Sequence, residues 1–560
     1  MKENVAPQTE SHARTSVLIV GGGPIGLALA ADLGRRGLSC MLVEQHGPHQ
    51  RSARIMMISV RTMEMCRSFG VADKVRGWGF PADYPHDNVW VTNLNGYRLA
   101  HVPMASLGES KPSPFSPEFQ VHCPQTYLEP IFEELASSFP SVSIRHNVKF
   151  EALEQDGEGV TVQIFNNQTS RRETVRADFV VGCDGYSSSV REALGIRMRG
   201  QEFIDYSISI EFLCDDLPSM HTQGRALRYV FIGPEGTWGS MMAVDGKKRW
   251  RILLYGINED PSTIDVHGVI RRMVGRDFEY TLDSAKPWVR RGVIADSFQD
   301  GRVFLAGDSA HTHLPNGGLG MNTGLGDAIN LGWKLAGVVD GWADQDILDS
   351  YDMERRPVCH RAMEEALSEF KRFTASPSNP HIEAPTPKGI EARRVVANVI
   401  QSSYDKAKGW DRFGIHLGHI YYPSSIVMSD GTPLPEDDTF GYSPTSFPGA
   451  RAPHAWLEDG RSTLDLFGNE HVLLTFGATS PDGSRLIDAA HRAHVKLAVH
   501  HIASPDIAML YGAAFVLVRP DGHVAWRSDQ VPQDCGALIE RIRGARAKVG
   551  RQTAQPVAAG

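Results

Sequence analysis

The stretch best equipped for chemistry is Gly307-Asp308-Ser309-Ala310-His311, followed by Pro315 and then by Gly317, Gly318, Leu319, Gly320, Met321 and Asn322. Residues 302–306 are largely apolar and predict a short strand that stops at Gly307. Asp308 then stands at the carboxyl end of that strand, the edge where open α/β sheets bind ligands. Beyond the Gly/Pro turn, Leu325, Ala328, Ile329, Gly332, Leu335, Ala336 and Val339 recur at helical spacing. The first turn of such a helix offers N–H groups without intrahelical partners and the positive end of its dipole. A carboxylate and a helix start on one crevice suit a ligand with hydroxyls and a developing negative charge.

A second constellation lies near the start of the chain. Residues 16–20 (Ser-Val-Leu-Ile-Val) read as a buried strand, and Gly21, Gly22, Gly23, Pro24, Ile25 and Gly26 follow. Gly21, Gly23 and Gly26 supply G-x-G-x-x-G between a strand and a helix. A second strand ends at Glu44, 18 residues after Gly26. In that context the glycines let backbone N–H groups approach a pyrophosphate, and the acid accepts from ribose hydroxyls. A third turn, Cys183-Asp184-Gly185, also closes an apolar strand.

These groups need an α/β scaffold, and the pattern of apolar residues supplies one. The expected boundaries are a flexible 1–14, then 15–200 as the first part of a Rossmann-like dinucleotide-binding domain. Within it, 90–120 contributes to the substrate side. From Ile204 to Phe212 apolar and polar residues alternate strictly, and similar strands follow to about residue 257. Residues 201–296 are therefore an inserted, mostly antiparallel sheet domain. Gly233, Gly236 and Gly239 sit between strands with no helix after them, which predicts a hairpin and not a second nucleotide loop. Residues 297–373 complete the first domain with a helix, and 374–456 form a linker with helices. Residues 457–550 follow a thioredoxin-like order of strands and helices, and 551–560 is a flexible end. No cysteine pair follows the first strand of that tail, so dithiol chemistry is not expected there.

Composition excludes several classes. The 560 residues carry a net charge of −9, with 41% apolar and 22% charged residues and no Lys/Arg run to track nucleic acid. Seven scattered cysteines without a C-x-x-C argue against a disulfide scaffold or zinc module. There is neither an apolar signal segment nor a run of 18 apolar residues, so a cytoplasmic protein without a membrane partner is expected. His311 and His313 lack an evident third ligand, and no metal is expected.

Together, the glycine loop, Cys183-Asp184-Gly185 and Gly307-Asp308 with Pro315 and 317–322 resemble the single-component FAD-dependent aromatic hydroxylases related to para-hydroxybenzoate hydroxylase. Residues 448–454 and 518–522 are similar to the phenol and chlorophenol monooxygenase branch, which carries a thioredoxin-like C-terminal domain. The resemblance covers nearly the whole chain. It implies FAD held by Gly21, Gly23, Pro24, Ile25, Gly26 and Glu44, with Arg54 and Gln125 along the cofactor. It further implies Asp308 on a ribityl hydroxyl and the backbone of Gly318, Leu319, Gly320, Met321 and Asn322 at the pyrimidine edge. Asp184 and Gly185 would serve both FAD and NAD(P)H. Two positions depart from the pattern: Ser187 stands where the motif usually has arginine, and Met56 where some phenol hydroxylases carry an aspartate base.

The activity so implied is an NAD(P)H- and O2-dependent hydroxylation of a phenolic or polycyclic aromatic through a flavin 4a-hydroperoxide. Baeyer–Villiger-type insertion, or a non-catalytic flavin-binding protein, are the alternatives. Candidate catalytic residues are Arg54, His313, Pro315 and Tyr229. Candidate substrate contacts are Met56, Tyr206, Ile208, Tyr229, Phe231, Trp238, Met241 and Pro315, the apolar face of the inserted sheet forming a roof. A homodimer is left open.

Overall fold

The computed structural model describes residues 12–48, 56–258, 260–406 and 412–545. In the first sheet, His12–Val20 is flanked on one side by Cys40–Glu44 and then Val142–His146. Arg171–Gly182 and Val303–Leu305 lie on the other side, all of them parallel. Val17, Leu18, Ile19 and Val20 are apolar at every position because a central parallel strand is covered on both faces. Val148–Gln155 and Val160–Asn166 extend Arg171–Gly182 in antiparallel pairing.

Helix Leu319–Val339 is buried almost all round and packs against helix Pro24–Arg35. The approach needs glycine: a Cβ on Gly324 would stand 2.8 Å from Ile25 Cγ1 and 3.0 Å from Gly307 Cα. A helix buried on every side must pair its polar residues internally, and Asp327, Asn330 and Lys334 all do so.

The second sheet runs His311–Thr312, Thr281–Ala295, Met198–Leu213, Arg249–Leu254, Gly236–Ala243, Arg228–Gly233, Asn88–Val91, Arg98–Val102. All pairs are antiparallel except Arg228–Gly233 with Asn88–Val91. Gly233 pairs with Gly236 across a hairpin, as the spacing predicts. Val303–Leu305 belongs to the first sheet and His311–Thr312 to the second, so the short turn Gly307–Ser309 is one of the places where the chain passes between the two sheets.

In the tail, Leu497–Ile502, His471–Phe476, Phe515–Val518 and Val524–Ser528 form one sheet in that order, the first pair parallel and the others antiparallel. With helices Ser484–Arg492 and Cys535–Ile542 this is the thioredoxin-like order. After the strand Leu497–Ile502 comes a further helix, Pro505–Tyr511, that apolar periodicity does not mark. Seven residues are too few for a periodic signal, and its start is set by the Ser504 side chain accepting from the N–H of Ile507. Arg451–Glu64, Arg519–Glu354 and Arg67–Asp465 ion pairs dock the tail on the first domain.

Candidate active site

The glycine loop takes the geometry its sequence demands. A Cβ on Gly26 would stand 2.0 Å from the Gly21 carbonyl oxygen, so only glycine allows the loop to fold onto the helix start. Helix Pro24–Arg35 begins without a side-chain cap and with no acid in its first turn. Its dipole end is thus left to an external anion. Glu44 is 5% exposed, and its two oxygens accept from the N–H groups of Gly22 (2.8 Å) and His46 (2.9 Å), which fixes the carboxylate beside the loop.

Helix Leu319–Val339 repeats the arrangement, with no side-chain cap at Gly318 and no acid in the first turn. The Asn322 side chain is spent on structure. Its Oδ1 accepts from Ser59 N (2.9 Å) and Thr62 Oγ1 (2.8 Å), and its Nδ2 donates to Met57 O (3.0 Å) and Gly318 O (2.6 Å). The Asn322 side chain is therefore not offered to a ligand, and the Gly318 N–H is already donated to Pro315 O (3.1 Å). Asp308 is half-buried in the joining turn. Asp184 is held at Oδ2 by the Val190 N–H (3.1 Å), while its buried Oδ1 has no protein partner. Burial raises its carboxyl above the usual range. Gly185 beside it has φ +81° and open space where a Cβ would be. Gln125 sits at the start of helix Gln125–Ser137, its amide donating to Glu129 Oε1 at 2.7 Å. Two uncapped helix starts, a ribose-type acid and an orphaned buried carboxylate oxygen fit an FAD between them.

Beneath the joining turn lies a charge network that no local pattern announces. Asp327 Oδ2 accepts from the Gly307 N–H (3.1 Å) and from His311 Nε2 (2.6 Å), and its Oδ1 accepts from Arg355 Nε (2.8 Å). Burial works against the His311 cation, but the Asp327 carboxylate against its Nε2 outweighs it and raises the imidazole above its usual range. His311, Asp327 and Cys359 bring three ligand-type atoms within 4.8 Å. With Asp327 shared between a histidine and an arginine, the group is an ion-pair network. A carboxylate amid the apolar stripe of a helix was the available sequence signal for Asp327; Arg355 had none.

His313 is not placed as a base for a substrate proton. Its Nε2 meets Cys359 O (3.0 Å), its Nδ1 meets His311 Nδ1 (3.2 Å), and burial with the His311 charge pushes it down to about 3. The sheet roof also needs correction. Ile208, Tyr229, Phe231 and Met241 are 0–3% exposed and pack in one cluster with Ile270 and Met273 of helix Val266–Val274. That face is closed by a helix, and Tyr229 donates its hydroxyl to Gly224 O, so these four are core. Trp238 lies in the same cluster under the Arg272 guanidinium, 4.0 Å from its ring. Tyr206 stands edge-on to Phe203, 5.0 Å between centroids. Period two separates the faces of a strand but does not say which one a helix covers.

Met56, 4% exposed, lies in the same buried cluster as Ile208 and Tyr229, and Pro315 is half-buried at the head of the Gly317 turn. Arg412 was missed by sequence reasoning. It lies against Gly317, its Nη1 3.1 Å from where a Cβ would stand, and it pairs with Glu365 (3.1 Å) and Glu369 (2.5 Å). Arg54 lies outside the described residues.

Comparison with known proteins agrees with this geometry. Residues 14–366 match the FAD binding domain family, and 445–545 match the family described as aromatic-ring hydroxylase, C-terminal. Tetracenomycin B2 monooxygenase-dioxygenase of Streptomyces olivaceus is 32% identical over 568 residues, 94% of this chain and 97% of the relative. 4-Methyl-5-nitrocatechol 5-monooxygenase of a Burkholderia species is 30% identical over 576 residues, covering 96% and 98%. Among solved structures, the rebeccamycin biosynthetic enzyme RebC soaked with chromopyrrolic acid, with 7-carboxy-K252c bound, is 38% identical. Its TM-score is 0.89, over 96% of this chain and 100% of that one. With both family matches falling on the described site and tail, the chain belongs to the FAD-binding aromatic-ring hydroxylases and is an FAD-dependent monooxygenase.

Proposed function

We propose that the protein uses NAD(P)H and molecular oxygen to hydroxylate a phenolic or polycyclic aromatic substrate. The observation that carries this reading is the turn Gly307–Ser309. It joins the two sheets and brings Asp308 and an uncapped helix start next to the inserted sheet. FAD, when bound, supplies hydride acceptance and oxygen activation; the protein supplies grip, orientation and a dry site. Helix Pro24–Arg35 with Gly21–Gly26 would hold the pyrophosphate, Glu44 the ribose and Asp308 a ribityl hydroxyl. The backbone at the start of helix Leu319–Val339, within 318–322, would stabilise negative charge at the pyrimidine edge without a cation. Asp184 and Gly185 would serve both cofactors, and Met56 and Pro315 would border the substrate. The aromatic substrates named for the relatives support the same class.

The test is a panel of phenols and polycyclic phenols, scored for NAD(P)H consumption, hydrogen peroxide release and oxygen-18 in the product. A ring that stimulates consumption and gains one labelled oxygen is the expected result. Consumption that releases peroxide at the same rate whatever ring is present would overturn the hydroxylase reading.

A further inference from the structure

The Asp327 network does not end at Arg355. Besides Asp327, the Arg355 guanidinium donates from Nη2 to the Thr323 carbonyl (2.9 Å) and from Nη1 to the Tyr421 hydroxyl (3.0 Å). Asp327, Arg355 and Tyr421 are 0%, 1% and 3% exposed. Tyr421 belongs to the tail side of the molecule. Its N–H donates to Gly449 O, its ring lies 4.2 Å from that of His523, and the Arg519 guanidinium is 5.2 Å from its centroid. An unbroken chain thus runs from the C-terminal unit through Tyr421, Arg355 and Asp327 to the N–H of Gly307, the residue before Asp308.

A cavity of about 120 Å³ lies beside this chain, lined by Thr323, Arg355, Tyr421, His419 and His523 among others. It has room for about four waters at roughly 30 Å³ each and is well below the few hundred Å³ of a site for a drug-sized ligand. The Arg355 guanidinium itself is buried and lies against Gly326, its Nη2 2.8 Å from where a Gly326 Cβ would stand, and its hydrogen bonds to Asp327, Thr323 and Tyr421 set its direction.

We propose that Arg355 is a positioning residue for the FAD site, held in direction by the Tyr421 hydroxyl, so that the C-terminal unit sets how tightly FAD is gripped. The inference rests on the FAD assignment above. Arg355 touches Asp327 and not the cofactor; it acts by keeping Asp327 where it can hold the Gly307 N–H and orient the turn that carries Asp308.

The test is FAD titration of apoprotein, with apoprotein melting measured in parallel. Tyr421→Phe removes only the hydroxyl and is expected to raise the FAD Kd roughly five- to tenfold, the size of one lost hydrogen bond. Arg355→Lys keeps the charge but loses the planar fork, and should raise Kd at least as much. The double variant should bind FAD no more weakly than Arg355→Lys, since both act through one chain. Tyr511→Phe is the control, because its hydroxyl donates to Pro453 O (2.7 Å) inside the tail core. It should lower the melting temperature and leave Kd alone. Unchanged Kd in both Tyr421→Phe and Arg355→Lys, with wild type binding FAD, would overturn the proposal. So would a Tyr511→Phe protein that loosens FAD as much as Tyr421→Phe. Wild-type protein that takes up no FAD would remove the assignment beneath it as well.

Discussion

Glu354→Gln probes the joint that holds the tail to the FAD-binding unit. Glu354 is 2% exposed and accepts five hydrogen bonds. Arg519 Nη1 (2.6 Å) and Ser424 Oγ (2.6 Å) reach Oε1, while Lys334 Nζ (2.8 Å), Asn330 Nδ2 (2.7 Å) and Arg519 Nη2 (2.9 Å) reach Oε2. Glutamine keeps the shape, but it removes the charge between two buried cations and turns an NH2 toward donors. Removing one partner of a buried pair costs about 3–5 kcal/mol. The electrostatics of the same group give a second figure. Burial would raise the Glu354 carboxyl, but Arg519 and Lys334 prevail and hold it at about 2, against 4.5 for the ordinary group. At 1.36 kcal/mol per pH unit that difference is on the order of 3 kcal/mol. The folded value is depressed, so the unfolded chain binds the extra proton. The stabilisation is complete above about pH 4.5 and is lost as pH falls toward 2. Thermal unfolding near pH 7 should show the variant melting roughly 3–4 °C below wild type. The gap should shrink as pH falls from 5 to 3. A variant that melts with wild type at pH 7, or a gap that stays constant down to pH 3, would refute the reasoning.

Three further outcomes follow from the site. Gly26→Ala forces a Cβ to within 2.0 Å of the Gly21 carbonyl, so purified variant should carry little FAD; a full cofactor-to-protein ratio would contradict the loop assignment. Asp308→Ala removes the acceptor proposed for a ribityl hydroxyl, a charge-assisted bond worth roughly 1.5–3 kcal/mol. FAD should bind about tenfold or more weakly, and an unchanged Kd would remove Asp308 from the site. Cys535→Ser should leave substrate-dependent NAD(P)H oxidation unaltered. Cys535 is a free, 6% exposed thiol whose Sγ faces Pro532 O at 3.3 Å, and a lone thiol cannot cycle as an intramolecular disulfide. A large loss of rate would mean that the tail has a redox role.

The sequence by itself determined what depends on local backbone chemistry. Gly21, Gly23 and Gly26 follow a strand and open a helix, and Glu44 closes the next strand. Gly307-Asp308 and 317–322 sit between a strand and a helix. Each of these is legible because a tight turn, a close approach or a helix start restricts the residue type within a few positions. The alternation from Ile204 to Phe212 likewise marked the inserted sheet. Only the tertiary structure decided which face of that sheet is covered, because period two is symmetric between faces. That is why Ile208, Tyr229, Phe231 and Met241 prove to be core under helix Val266–Val274. It also decided what each buried charge is paired with. Glu354 and Arg519 are 165 residues apart, Asp327 and Arg355 are 28, and Arg355 and Tyr421 are 66. A charge in a low-dielectric interior needs a partner across space, and where the chain brings one is a property of the packing alone.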